Sequence, residues 1–87
     1  MQNHVSPIEQ FIIDYVRDIR IKNFVTQAEI GAIIGTSQGF VANVETRTHR
    51  AKYNINHVNM IAHHFGLSPK DFMPSKAFLI KRTKSLR

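Results

Sequence analysis

An all-α domain of five short helices is what this 87-residue sequence predicts. Apolar residues recur at three- and four-residue spacings, a Ser, Thr or Asn precedes each such run, and no apolar/polar alternation is long enough to build a sheet. Length points the same way. A chain this short buries only about 60% of its unfolded surface, and so thin a core favours helices, whose backbone hydrogen bonds close internally. Cysteine is absent, so neither a disulfide nor a thiolate zinc site can supply stability, and the composition suits a reducing cytoplasm. The apolar runs, such as Phe78-Leu79-Ile80, fall far short of the roughly 20 residues needed to cross a bilayer or the ~7–15 of a secretory core. The expectation is a cytoplasmic protein with no membrane partner.

The first helix starts at Pro7, because Ser6-Pro7-Ile8-Glu9 offers an N-cap, a proline at the first helical position and a capping-box partner. Ile8, Phe11, Ile12, Tyr15, Val16 and Ile19 form its apolar stripe, and Asn23 offers a left-handed exit. Thr26-Gln27-Ala28-Glu29 is a second capping box, opening a helix of about two turns with Ile30, Ile33 and Ile34 inward and Gly35 at its end. After the turn Gly35-Thr36-Ser37, Ser37 caps a third helix over 38–45, with Val41 and Val44 inward and Gln38, Ala42 and Asn43 pointing away. Two short helices across a turn of ~3–4 residues have the arithmetic of a helix-turn-helix, which leaves the outer face of the second helix free to enter a major groove. Gly31 fits that crossing, where a small residue is needed beneath the turn.

Thr46–Tyr53 is rich in cations and poor in apolar residues and reads as a loop. Asn54 caps a fourth helix with Ile55, Val58, Ile61, Ala62 and Phe65 on one face, stopped by Gly66. Ser68-Pro69-Lys70-Asp71 opens a short fifth helix that contributes Phe72 and Met73 before Pro74 ends it. One domain over residues 1–74 and a basic tail over 75–87 follow from this pattern.

Net charge is +6, a balance that favours polyanions. Residues 1–75 carry seven Lys/Arg against six Asp/Glu, whereas residues 76–87 carry five cations and no acid. Within the body the basic cluster is Arg47, Arg50 and Lys52, and Glu9, Asp14 and Asp18 lie far from it in sequence.

These residues resemble the XRE family, the lambda-repressor-like and Cro-like helix-turn-helix domains, over roughly Phe11 to Met73. The likeness is distributed. It runs through Val16-Arg17-Asp18-Ile19-Arg20, Thr26-Gln27-Ala28-Glu29-Ile30-Gly31, Ile34-Gly35, Ser37 with Val41, Val44 and Glu45, Ile61-Ala62, Phe65-Gly66-Leu67-Ser68 and Asp71-Phe72-Met73. The resemblance implies a compact five-helix domain that binds operator DNA, usually as a homodimer, to regulate transcription. Two positions depart from the family's pattern: Arg47 stands where a glycine is usual, and Thr36 where an aliphatic residue is common.

Candidate contacts follow. The family uses a glutamine at the place of Gln27 to hold a phosphate, and a helix N-terminus favours an anion there; the bland alternative is an exposed capping-box residue. Ser37 joins it as a phosphate contact. Gln38 can pair its amide with adenine N6/N7, Ala42 can touch a thymine methyl, and Asn43 can reach base or phosphate, although all three residue types are ordinary on a helix surface. Gly39 costs about 1 kcal/mol inside a helix against alanine, which close approach of backbone to DNA would explain. Arg47, Arg50 and Lys52 follow the third helix where the chain must cross a phosphate strand, and they read as backbone contacts rather than as a merely solvated face.

His57 and His64 share a helical face, but an i, i+7 spacing of ~10 Å is too long for joint metal ligation. No acid pair, Ser/His/Asp set or Cys/His pair can be assembled, so neither catalysis nor a cofactor is expected. The tail mixes Phe78, Leu79 and Ile80 with cations, compatible with disorder, with a helix on a partner subunit or with an arm on DNA. The reading is a sequence-specific, double-stranded-DNA-binding regulator. Its rivals are an antitoxin-like module that binds a protein partner through another face, and a non-specific nucleic-acid binder, which the nearly neutral body disfavours.

Overall fold

Five side-chain caps set the frame of the structure, a computed structural model that describes residues 5–46 and 50–78. Ser6, Thr26, Ser37 and Asn54 each accept a hydrogen bond from the backbone amide three residues on, which otherwise has no partner in the first helical turn. They start α1 (Pro7–Lys22), α2 (Gln27–Ile33), α3 (Gln38–Glu45) and α4 (Ile55–Phe65). Reciprocal bonds complete capping boxes at Ser6–Glu9, Thr26–Glu29 and Asn54–His57. Among the described residues all regular structure is helical.

The fifth element differs from expectation. Ser68 does cap it, but Pro69–Phe72 is a single 3-10 turn, with Asp71 N–H bonded to Ser68 O at 2.9 Å and Met73 N–H to Lys70 O at 3.1 Å. Four residues between the cap and Met73-Pro74 leave no length for an i→i−4 ladder. The turn still matters to the core, because it buries Phe72 against Tyr15 with ring centroids 4.7 Å apart.

Three helices end alike. After each of them one amide reaches back five residues (Val25 to Arg20, Thr36 to Gly31, Leu67 to Ala62) while the amide before it reaches back three (Phe24 to Ile21, Gly35 to Ala32, Gly66 to His63). The left-handed residue in this motif is Gly35 (φ +74) and Gly66 (φ +70), and at the end of α1 it is Phe24 (φ +58). Asn23, the expected left-handed residue, has φ −101 and spends its side-chain amide on Ile19 O at 2.7 Å.

The core gathers Val16 from α1, Ile30 from α2, Val41 from α3, Val58 and Ile61 from α4, and Phe72, each worth about 1.5–3 kcal/mol when fully buried. Along α1 the buried arc is Ile12, Ile13 and Val16, so Ile13 joins the expected stripe while Ile8, in the first turn, stays exposed. Ile55, at the start of α4, is likewise exposed, and the loop before it is not purely polar, since Tyr53 is buried and Ala51 packs on the core. Helices α2 and α3 share the most extensive packing of any pair. Gly31 is required there: a β-carbon on it would lie 2.8 Å from Ser37 C and 2.9 Å from Ser37 O, both immovable backbone. No helix among the described residues is long and apolar enough to cross a membrane.

Candidate nucleic-acid interface

One hydrogen-bonded chain ties three helices together around the exposed face of α3. Glu45, the last residue of α3, has a side chain only 7% exposed. Its carboxylate accepts from Arg20 of α1 twice, from Nε to Oε2 at 2.9 Å and from Nη2 to Oε1 at 2.8 Å. Such two-pronged guanidinium–carboxylate pairs are the strong, directional kind. Gln27 of α2 donates from Nε2 to the same Oε1 at 3.0 Å, and the half-exposed Arg17 approaches it at 3.9 Å. The chain then returns to the start of α3, because Gln38 Nε2 donates to Gln27 Oε1 at 2.8 Å.

The order of donors fixes both amides. Gln27 must present its NH₂ to the carboxylate and its oxygen to Gln38, and Gln38 is left with its own oxygen and its second N–H. An oxygen and an N–H on an exposed amide are the kinds of group that pair with an adenine edge. Gln27 and Gln38 thus form one oriented unit, braced from behind by Arg20 and Glu45.

Around this unit the other candidates fall into distinct places. Ser37 accepts the Phe40 amide at 3.1 Å, which leaves its O–H proton free to donate. Gly39 is exposed, and a β-carbon there would meet only Ser37 Oγ, at 3.8 Å, so packing does not demand a glycine. Asn43 is exposed and Ala42 half-buried on the same helix. Arg50 is exposed. Lys52 is engaged elsewhere: its Nζ lies 2.9 Å from Glu9 Oε2, so an acid remote in sequence is its partner. The backbone amide of Ser6 and then the Lys52 ammonium hold the Glu9 carboxyl below the usual carboxylate range. Arg47 lies outside the described residues, as do residues 79–87 of the tail. The tail's first part runs back to α1, where Phe78 meets Phe11 with ring centroids 5.7 Å apart.

An aromatic cluster supports α3 at its other side. Phe40, Tyr53 and His57 meet edge to face at 5.7–6.3 Å. His57 Nδ1 accepts the Asn54 amide at 3.1 Å, so the ring carries its proton on Nε2, and burial holds its pKa below the ordinary value. The Tyr53 hydroxyl is buried without a hydrogen-bond partner among the described residues, and burial and the nearby Glu45 charge push its pKa up. His63 and His64 are exposed beside Ile33, Asn59 and Met60 in an open groove between α2 and α4. No group of three His, Cys, Asp or Glu suited to a metal ion occurs among the described residues.

Sequence reasoning assigned no role to Arg20 or Glu45. Their pairing spans 25 positions, and the only local hint is that Glu45 is a lone acid at a helix end with cations close behind it in sequence. Compared with protein-family models, with curated proteins and with solved structures, the chain matches none.

Proposed function

We propose that this chain is a sequence-specific duplex-DNA-binding regulator of the lambda-repressor-like helix-turn-helix kind, with α3 entering the major groove as part of a homodimer. The observation that carries this reading is the bonded series Arg20–Glu45–Gln27–Gln38. It holds the exposed Gln38 amide, backed by the half-buried Gln27, in a fixed orientation at the start of a short helix whose remaining outer residues are small or polar, and an α-helix with such a face fits a major groove. Preorganisation of this kind lowers the ordering cost of binding. The exposed Arg50 and the cationic tail supply the charge that a phosphate backbone recruits.

The test is binding of the full chain to duplexes enriched from a randomised pool, titrated at several salt concentrations. A dimer making three to five phosphate contacts per subunit should give a logarithmic salt slope of roughly −5 to −9. A slope near zero removes the reading. A protein-interaction role akin to that of an antitoxin is the second reading, favoured by the open groove at Ile33, Met60 and His63; it predicts a chain that enriches no duplex yet co-purifies in fixed stoichiometry with a protein partner.

A further inference from the structure

The acid that closes the capping box of α1 also holds a cation of the basic cluster. Glu9 Oε1 accepts the Ser6 N–H at 2.8 Å, and its other oxygen, Oε2, lies 2.9 Å from Lys52 Nζ. The carboxylate is thus fixed by its own helix start and presents one oxygen to a residue far along the chain.

The segment that carries Lys52 is anchored by other contacts. Ala51 packs on the core, and the buried Tyr53 sets its ring 6.3 Å from that of Phe40. Lys52 stands between these two anchors with a side chain 48% exposed, and that of Glu9 is 30% exposed. An ion pair so open to water adds little to stability. The Tyr53 contact also fixes where Lys52 lies. Phe40 belongs to the first turn of α3, the turn that begins with Gln38, so Lys52 follows the chain along the edge of that turn. Arg50, two residues earlier on the same segment, is exposed.

We infer that Glu9 is an internal competitor of the DNA backbone, its carboxylate occupying the Lys52 ammonium that would otherwise take a phosphate, and so limiting the sequence-independent part of binding. The inference rests on the DNA reading above. Carboxylate and phosphate oxygens offer an ammonium the same kind of charge-assisted bond, so one excludes the other. DNA that displaced Glu9 would gain one cation contact and leave an unpaired carboxylate beside a phosphate strand, where like charges repel.

The experiment titrates the full chain, at several salt concentrations, with duplexes it enriches from a randomised pool and with scrambled ones. Glu9→Gln removes the charge and keeps the capping box, which glutamine also makes, so helicity and thermal midpoint should stay close to the parent's. It should bind both duplexes roughly three- to tenfold more tightly, with a logarithmic salt slope steeper by about one unit, because the released Lys52 adds one phosphate contact. Lys52→Met alone should not lower the slope, since an ammonium already paired displaces no counterion from DNA. Glu9→Gln made in the Lys52→Met chain should bring no steepening and no gain in affinity. A gain that survives Lys52→Met overturns the inference in favour of a general effect of net charge. Glu9→Gln binding no tighter than the parent overturns it as well. So does a slope shallower by about one unit in Lys52→Met alone, which would show phosphate taking Lys52 in spite of Glu9. Each of these three results leaves the DNA reading standing, whereas failure of the parent chain to enrich any duplex overturns both.

Discussion

Arg20 and Glu45, 25 positions apart, are joined by paired hydrogen bonds of 2.8 and 2.9 Å and bring the last turns of α1 and α3 together. Because the carboxylate is nearly buried and also serves Gln27, removing the guanidinium leaves a charge with too few donors. Arg20→Met is expected to cost about 2–4 kcal/mol of stability, read by urea unfolding. Replacing both residues, Arg20→Met with Glu45→Leu, should recover part of that loss, since the unpaired charge is then gone. Additive losses would show that the two side chains act independently.

Two glycines in neighbouring elements should respond oppositely to the same substitution. Gly31→Ala forces a methyl group against the backbone of Ser37 and should destabilise by about 1–3 kcal/mol. Gly39→Ala brings its methyl group only into ordinary contact with Ser37 Oγ at 3.8 Å and should stabilise α3 by up to ~1 kcal/mol. If Gly39 serves close approach to DNA, the more stable variant will bind enriched duplex more weakly than the parent; unchanged binding would make Gly39 a tolerated residue only.

His57 gives the fold a dependence on pH. Its ring accepts the Asn54 amide through Nδ1 and is partly buried against Phe40 and Tyr53, so the neutral form is favoured and the folded-state pKa lies below the ordinary 6.5. A depressed histidine pKa means that the unfolded chain takes up the proton more readily. Its contribution to stability is therefore complete above pH 6.5 and declines as pH falls toward the folded-state pKa. His57→Gln keeps an acceptor at the third helical position and should show a smaller fall in thermal midpoint between pH 7.5 and 5.5 than the parent does. An equal fall in the two proteins would show that His57 is not its source.

Local signals were legible and distant ones were not. Ser6, Thr26, Ser37, Asn54 and Ser68 announce helix starts because a cap is made by residues two or three apart, and Gly35 and Gly66 announce ends because their conformation is intrinsic to glycine. Phe24 defeats the same rule: the choice between Asn23 and Phe24 depends on which amides reach Arg20 and Ile21, and residue type pointed to the asparagine. Tyr53 lies in the expected loop and yet is core, because burial is decided by what α3 and α4 leave open rather than by neighbours in sequence. Gln27 and Gln38 were recognisable as candidates one at a time. That they form a single unit, and that Lys52 is drawn to Glu9, are consequences of folding that no spacing encodes.

Base reading by α3 is the central claim, and Gln38 tests it most directly. Affinities of Gln38→Ala and Arg50→Ala are measured on an enriched and on a scrambled duplex, with helicity checked for each variant. Gln38→Ala should lose about 1–3 kcal/mol on the enriched duplex and little on the scrambled one, since only a base contact carries sequence information. Arg50→Ala should weaken both duplexes by similar factors and reduce the salt slope by about one unit. Equal weakening of both duplexes by Gln38→Ala, with Arg50→Ala silent on both, would contradict the docking of α3 in the major groove.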